Sequence, residues 1–455
     1  MTTVTITGRD RHGVGIAVSE GKQIYVPQAL VGEVMEVEVG APFTPKSARC
    51  PGTIKEILKP SPYRVEPQQH CLYAGRCGGC QLPHVSYEGQ LAYKRADIVA
   101  AVSTALGQDA EDLVRPLVPT SARPCRFKSI RYAASQEGAR TPLRLGFYAP
   151  NSHDLVPIAA CPLEPERFAQ VARSLEATLN ELSIPSYDEL KPQAETAVRA
   201  LQLRGGDANS VSAYLIMTGR LSATQCQALE RKAQELGMES LAVGYNNAPG
   251  NALFTREVEL IAGAESITKT LLGARFAVYP NTFLQVNYEI CSKLYEAAIA
   301  HCVEAQSHQL ALDLCCGVGT MSLALAQHFE QVVGVEIVAE SIAAAKANAT
   351  ANGLAHKCDF IAADMTKALP ELIKRQQLNA IIADPARVGL GEANAKLLGK
   401  VPGPCRLAVI FCALTALKRD LPLLIKGGFK LDYVQGFDMF PGSQHVETLV
   451  CLTKD

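Results

Sequence analysis

Gln309-Leu-Ala-Leu-Asp313-Leu-Cys315-Cys316-Gly317-Val-Gly319-Thr320-Met-Ser-Leu-Ala-Leu-Ala326 is the stretch that decides the fold. Its opening, Leu310 to Leu314, is a short apolar run and reads as a buried parallel strand. A Gly-x-Gly turn follows, and then an apolar-periodic segment that reads as a helix. Glycine at 317 and 319 lets the backbone pass close to a ligand where a Cβ would clash. The next strand, Val332-Val-Gly-Val-Glu336, ends in a carboxylate. In nucleotide-binding α/β folds an acid at that place accepts hydrogen bonds from ribose hydroxyls. A lone Gly-x-Gly is a weak signal. Here four strand ends each carry an acid, at Asp313, Glu336, Asp364 and Asp384, and the last opens Asp384-Pro-Ala-Arg387.

Outward from this core, the chain of 455 residues has room for two to four domains. Hydrophobic residues make up 48% and charged residues 20%, which favours compact folded domains over disorder. The net charge of −1 gives no sign of a nucleic-acid partner, so any RNA surface has to be local. The N-terminus has no apolar leader and no apolar run approaches the length of a membrane helix, so the expectation is a cytoplasmic protein with no membrane contact. Fifteen cysteines in a reducing compartment argue against a disulfide framework. Cys226, Cys291, Cys302 and Cys358 read as buried small hydrophobes.

Residues 1–62 alternate in short runs broken by Gly and Pro, namely Val4–Ile6, Gly15–Val18, Gln23–Val26, Glu33–Val39 and Gly52–Leu58. Five such strands predict a small all-β barrel of OB type. Arg9, Arg11, His12, Lys22, Lys46 and Arg49 are its candidate phosphate contacts.

A second feature is Cys71-Leu-Tyr-Ala-Gly-Arg-Cys77-Gly-Gly-Cys80, a C-x5-C-x2-C spacing with glycines that let backbone amides turn inward. Three thiolates need a fourth ligand, and Cys161 is the best candidate. Four cysteines suit a [4Fe–4S] cluster or tetrahedral zinc. The single C-x2-C pair favours iron–sulfur. His70 and His84 flank the motif as bystanders.

A helix is expected over 88–105. The window Arg123-Pro-Cys-Arg126-Phe-Lys128-Ser-Ile-Arg131-Tyr132 holds four basic residues, two aromatics and no acid. That mixture suits a nucleic-acid groove, and it also suits one charged face of a strand. Strands at 145–148, 197–203 and 210–217 and a helix at 224–236, capped by Ser222, make the middle region, 63–270, α+β. From 271 to 455 strands and helices alternate. Pro280-Asn-Thr-Phe283-Leu-Gln285-Val-Asn287 leads into a helix from Tyr288 to Glu304.

Near the end, Arg406 to Phe411 is an apolar strand running into Cys412, and the last strand begins at Glu447 after His445. A cysteine at the C-terminal end of a parallel strand points into the crevice where an α/β sheet binds its ligand. Its thiolate is the useful form, and nearby cations lower its pKa.

With these residues on the page, the chain resembles the RNA uracil-C5 methyltransferases over essentially its whole length, and most of all the branch acting on 23S ribosomal RNA. The strand–Gly-x-Gly–helix spacing is similar to that of class I S-adenosylmethionine methyltransferases. Gly8-Arg-Asp-Arg-His-Gly13-x-Gly15 with Gly32-Glu33 resembles the RNA-binding TRAM module. The four cysteines resemble the iron–sulfur members, and Asp-Pro-Ala-Arg at 384–387 matches the ribosomal branch.

The resemblance implies an N-terminal TRAM barrel, a central α+β iron–sulfur domain and a C-terminal Rossmann-like methyltransferase domain in a monomer. It puts Gln285, Cys315, Thr320, Glu336, Asp364 and Asp384 on cofactor-binding positions, Cys412 on the nucleophile and Glu447 on the base. Where the family usually has Ser-Cys-Asn-Pro this chain has Phe411-Cys412-Ala413-Leu414, and Thr320 replaces a usual Asn. The eight-residue step from Cys412 to Asp420 is kept. Two other readings stand beside it: a cytosine-C5 methyltransferase, which usually carries Pro-Cys, and a non-catalytic RNA-binding protein.

Overall fold

The structure, a computed structural model, describes every residue except 11, 45–46, 122–124, 136–141, 189–195, 251, 256, 281 and 375–377. Arg11 and Lys46, two of the candidate phosphate contacts, and Arg123 of the basic window lie outside the described residues. The chain divides into two compact units. The first holds Met1–Lys94, Tyr148–His153 and Phe440–Gln444, and the second holds the remainder.

In the first unit, β1 (Thr2–Thr5), β2 (Gly8–Arg9), β3 (Gly15–Ser19), β4 (Lys22–Val26), β5 (Val34–Val39) and β6 (Arg49–Lys59) form one sheet in the order β1-β5-β6-β4-β3-β2. The two ends of that order, β1 and β2, are consecutive pieces of one extended run. Ile6 N donates to Glu33 O and Thr7 N to Ile16 O, so that run bonds on one side toward β5 and on the other toward β3. The sheet therefore curls around the apolar side chains of its alternating strands, Val4, Ile6, Ala17, Ile24, Val26, Met35 and Val37. Glu33 is fully buried beneath it. Its carboxylate takes Arg64 Nε at 2.5 Å and Nη2 at 2.6 Å, with the amides of Leu30 and Ser61. This two-pronged pair ties the sheet to the segment that leaves it.

Helix α1 (Tyr87–Leu106) begins in the first unit and ends in the second. The second unit contains two large sheets. The strands β7 (Val114–Val118), β8 (Lys128–Ser135), β9 (Leu143–Tyr148), β10 (Leu155–Pro157), β11 (Val198–Arg204), β12 (Ser212–Met217), β13 (Ser240–Tyr245) and β14 (Val258–Gly263) come first in the chain. All but β7 join one sheet, in the order β10-β9-β8-β11-β12-β13-β14. Helices α2 (Glu166–Glu181) and α3 (Ala223–Glu235) pack on it through Phe168, Val171, Leu175, Leu179 and Leu229. Ser222 caps α3 in a complete capping box with Gln225, as its sequence predicts. A hairpin of β15 (Ile267–Leu271) and β16 (Ala274–Val278) leads to α4 (Tyr288–Val303), whose N-cap is Asn287.

The remaining elements alternate: β17 (Leu310–Leu314), α5 (Thr320–Leu325), β18 (Gln331–Glu336), α6 (Ala339–Ala351), β19 (Cys358–Ala362), α7 (Met365–Leu372), β20 (Leu378–Ala383), α8 (Gly391–Leu398), β21 (Cys405–Phe411), α9 (Leu414–Lys426), β22 (Lys430–Phe437) and β23 (Glu447–Lys454). They form an eight-stranded sheet in the order β19-β18-β17-β20-β21-β23-β22-β7. The run from β19 to β21 is parallel, and β23 inserts antiparallel between β21 and β22. Buried on both faces, β17, β20 and β21 read in sequence as continuous apolar runs. Strand order reverses between β17 and β20, and in such sheets the ligand crevice opens at the carboxyl ends of the strands flanking that switch. Among the described residues no helix is long and apolar enough to cross a membrane.

Candidate functional site

The crevice is built from strand ends of the second unit. After β17 the chain turns sharply. Cys315 takes a left-handed φ of 66°, uncommon for a residue with a Cβ, and the amides of Cys315 and Cys316 both donate to Val335 O. Gly317 has φ 54°, and a Cβ built there meets nothing within 4 Å, so the turn faces open space. Glu336, at the end of β18, accepts from Gly317 N at 3.2 Å and from Val338 N at 2.9 Å. The carboxylate thus braces the turn, and each of its oxygens keeps acceptor capacity beyond these bonds.

Asp313 lies wholly buried below. Ser322 Oγ donates to its Oδ2 at 2.5 Å, and Oδ1 has no partner. Burial, with help from Asp384 and Glu336, lifts its pKa to about 7. Thr320 is the buried first residue of α5, and Asp364 caps α7 by accepting from Thr366 N.

A second group gathers beyond β20 and β21. Tyr295 of α4 donates its hydroxyl to Asp384 Oδ2 at 3.1 Å, and the buried Gln285 side chain bonds the same carboxyl. Burial still raises Asp384 to about 6 against both of these bonds. In the antiparallel ladder Phe411 faces Thr448, so one step further sets Cys412 opposite Glu447.

Glu447 is 3% exposed, and its Oε2 has no partner. Burial, then the neighbouring Asp384, push its pKa to about 8, while Arg387 pulls the other way. Burial, Glu447 and Asp384 lift the Cys412 thiol to about 11, opposed again by Arg387. The two carboxylates and the Arg387 guanidinium thus set the charge felt by the Cys412 thiol, in opposite senses.

The structure therefore brings Gln285, Asp384, Cys412 and Glu447 together, and places Cys315, Glu336 and Gly317 together at the neighbouring strand ends. Tyr295 is a site residue that the sequence reading missed. Its signal was there: Tyr288, Cys291, Tyr295, Ala298 and Cys302 are all buried on one face of α4, and a tyrosine on such a face needs a partner for its hydroxyl. Asp420 was noted only for its spacing. It is fully buried and accepts from Leu390 N, Gly391 N and Arg419, so it holds the loop that follows Asp384-Pro-Ala-Arg387.

The basic window corrects an expectation. Arg131 is 1% exposed and ion-paired with Glu164 at 2.7 Å, and it also donates to Ile158 O. Phe127 stacks on Tyr288 inside the unit. Those side chains are internal braces, because alternation along β8 turns Ser129, Arg131 and Ala133 into the core.

Of the four cysteines considered as metal ligands, Cys71, Cys77 and Cys80 lie in the first unit and Cys161 in the second. No disulfide is formed. Gly79 N donates to Cys77 Sγ at 3.4 Å, the kind of amide contact a thiolate cluster uses. Among the described residues, however, no three Cys, His, Asp or Glu side chains are gathered so as to hold a metal ion. The donor chemistry suits a cluster, and no step below passes through one.

The family model for tRNA (uracil-5-)-methyltransferase matches residues 267–455. An uncharacterized RNA methyltransferase of Halalkalibacterium halodurans is 31% identical, covering 99% of this chain and 96% of the relative. A second, from Gloeobacter violaceus, is 30% identical with 99% and 96% covered. The crystal structure of Pyrococcus abyssi tRNA (uracil-54, C5)-methyltransferase, solved with S-adenosyl-L-homocysteine, superposes with a TM-score of 0.74 at 21% identity, covering 99% of both chains, and so shares the fold. The chain belongs to the RNA uracil-5-methyltransferase family.

Proposed function

We propose that this protein methylates carbon 5 of a uracil in RNA, with S-adenosyl-L-methionine as donor and 23S ribosomal RNA as substrate. The observation that carries the reading is the opposition of Cys412 and Glu447 at the ends of β21 and β23, beside Asp384. The donor supplies an electrophilic methyl group on a sulfonium. The open turn at Gly317 and the carboxylate of Glu336 suit its adenosine; by the family resemblance Gln285, Cys315, Thr320, Asp364 and Asp384 hold the rest.

Carbon 5 of uracil is a poor nucleophile. The Cys412 thiolate adds to carbon 6, and the enolate so formed makes carbon 5 nucleophilic toward the methyl group. Glu447 then takes the proton from carbon 5, and the carbon–sulfur bond breaks to restore the ring. Asp384, held by Tyr295, reads the uracil edge. Arg387 stabilises the thiolate, a cation's task beside a reactive cysteine. The base leaves its stack to enter the pocket.

The curled N-terminal sheet serves as a TRAM-like RNA contact, and a cytoplasmic location follows from a ribosomal substrate. Domain limits at 1–62, 63–270 and 271–455 complete the proposal, as does a [4Fe–4S] cluster on Cys71, Cys77, Cys80 and Cys161. The cluster rests on cysteine spacing alone.

The test is covalent trapping. RNA with 5-fluorouracil should leave a denaturation-stable adduct with the wild-type protein and none with Cys412→Ala. An adduct that persists in Cys412→Ala would refute the nucleophile. Competition between 23S fragments and tRNA transcripts decides the substrate, because the family model and the Pyrococcus abyssi enzyme are both named for tRNA.

A further inference from the structure

Lys128 stands in β8 as a half-buried side chain. The charged group beside it is a second cation, Arg204, whose guanidinium is spent on the carbonyls of Tyr279 and Thr282. Among the described residues no carboxylate pairs with Lys128. Its neighbours are instead two rings, Phe254 with its centroid at 5.4 Å and Phe283 at 5.8 Å. A desolvated ammonium without a counter-ion is costly, and an anion brought beside it favours the charged form.

Phe254 is 39% exposed, yet it is held firmly. Its inner face stacks on the buried ring of Tyr214 at 6.2 Å and 7°. The loop before it is fastened by Arg199, which donates to the carbonyls of Asn246, Ala248 and Gly250, and by Asn246 Nδ2, which donates to Ala252 O and Leu253 O. A pre-set ring with one open face, next to an uncompensated cation, matches an unpaired nucleotide: a flat base and a phosphate. The segment that carries Phe283 continues two residues later into Gln285, which bonds Asp384. Phe283, beside Lys128, is thus tied through the chain to a residue of the crevice.

We propose that Lys128 and Phe254 form a subsite for a nucleotide neighbouring the target uracil, its base stacked on the open face of Phe254 and its phosphate on the Lys128 ammonium. This rests on the RNA-methylation reading and adds to it a contact that fixes which strand segment enters.

The experiment uses the full chain and the RNA stem–loop in which the methylated uracil has been mapped. Abasic sites are placed in turn at each of three nucleotides on either side of that uracil. At one position the abasic change should raise KM on the order of tenfold in the wild type, the scale of one lost base stack, and should have no further effect in Phe254→Ala. Phe254→Leu, which keeps an apolar cover on Tyr214, should behave like the alanine variant, with kcat unchanged in both. Lys128→Gln should reduce the slope of log affinity against log salt by about 0.7, one phosphate contact on a single strand.

Abasic and Phe254 effects that add at every position, together with an unchanged salt slope, would overturn the subsite; so would unaltered RNA affinity in both variants. Failure of the wild type to trap 5-fluorouracil RNA would instead overturn the methylation reading, while direct RNA titration of the same variants would still judge the subsite.

Discussion

Glu447→Gln should make the protein more stable as pH rises, and by an amount that can be worked out. The carboxyl moves from an ordinary value of 4.5 to about 8 in the folded chain, chiefly through burial. A raised folded value means that the native state holds the proton more tightly than the unfolded chain does. The wild type is therefore most stable below the unfolded value and loses stability as pH climbs to the folded one. Each unit of difference corresponds to about 1.4 kcal/mol, so between pH 5 and pH 9 the loss from this residue approaches about 4 kcal/mol. Relaxation and water entry reduce it, and about 2 kcal/mol is a reasonable floor.

Glutamine keeps the shape and cannot ionise, so the variant should match the wild type near pH 5 and exceed it at pH 9. Urea unfolding of both proteins at a series of pH values measures the gap. An infrared carboxylic-acid band stronger in the wild type than in the variant at pH 7, its excess fading above pH 8, would identify the group. Parallel stability curves with no change of gap would refute the burial argument. The same shift predicts that methylation by the wild type rises with pH through about 8, since only the carboxylate can accept the carbon-5 proton.

In Glu447→Gln, addition and methyl transfer should proceed while proton removal stalls, so mass spectrometry should find a protein–RNA adduct already carrying the methyl group; turnover at the wild-type rate with no adduct would assign the base elsewhere. Arg131→Met leaves Glu164 buried without its partner and should cost about 3–5 kcal/mol in unfolding measurements, whereas a variant as stable as the wild type would return Arg131 to the RNA surface. Gly334→Ala in β18 would set a Cβ 2.7 Å from Phe360 and 2.9 Å from Cys316, and should destabilise by about 1–3 kcal/mol, read as a lowered melting temperature. Protein purified without oxygen should contain iron and acid-labile sulfide that Cys77→Ser removes; stoichiometric zinc without iron would withdraw the cluster.

The sequence by itself determined the parallel sheet and its turn. Leu310–Leu314 runs as expected because a strand covered on both faces must be apolar throughout, and Gly317 and Gly319 mark where the chain bends with positive φ. Ends shifted by a residue or two, as at Gln331, Cys405 and the cap Glu304, since local pattern fixes an element better than its limits. The curled N-terminal sheet was legible for the same reason, through alternation with Gly and Pro between the runs.

Only the tertiary structure decided what the polar residues do. Arg131 and Lys128 look alike in sequence and lie three positions apart. One closes a buried ion pair and the other meets two aromatic rings, because strand alternation and the neighbouring strands set each side chain's surroundings. Tyr295 and Asp384 lie 89 residues apart and Cys412 and Glu447 lie on separate strands, so neither pairing is written in local spacing. The raised values of Glu447 and Asp384 come chiefly from burial, to which the charge of Asp384 adds at Glu447. Those quantities exist only once distant strand ends have been brought into one low-dielectric crevice.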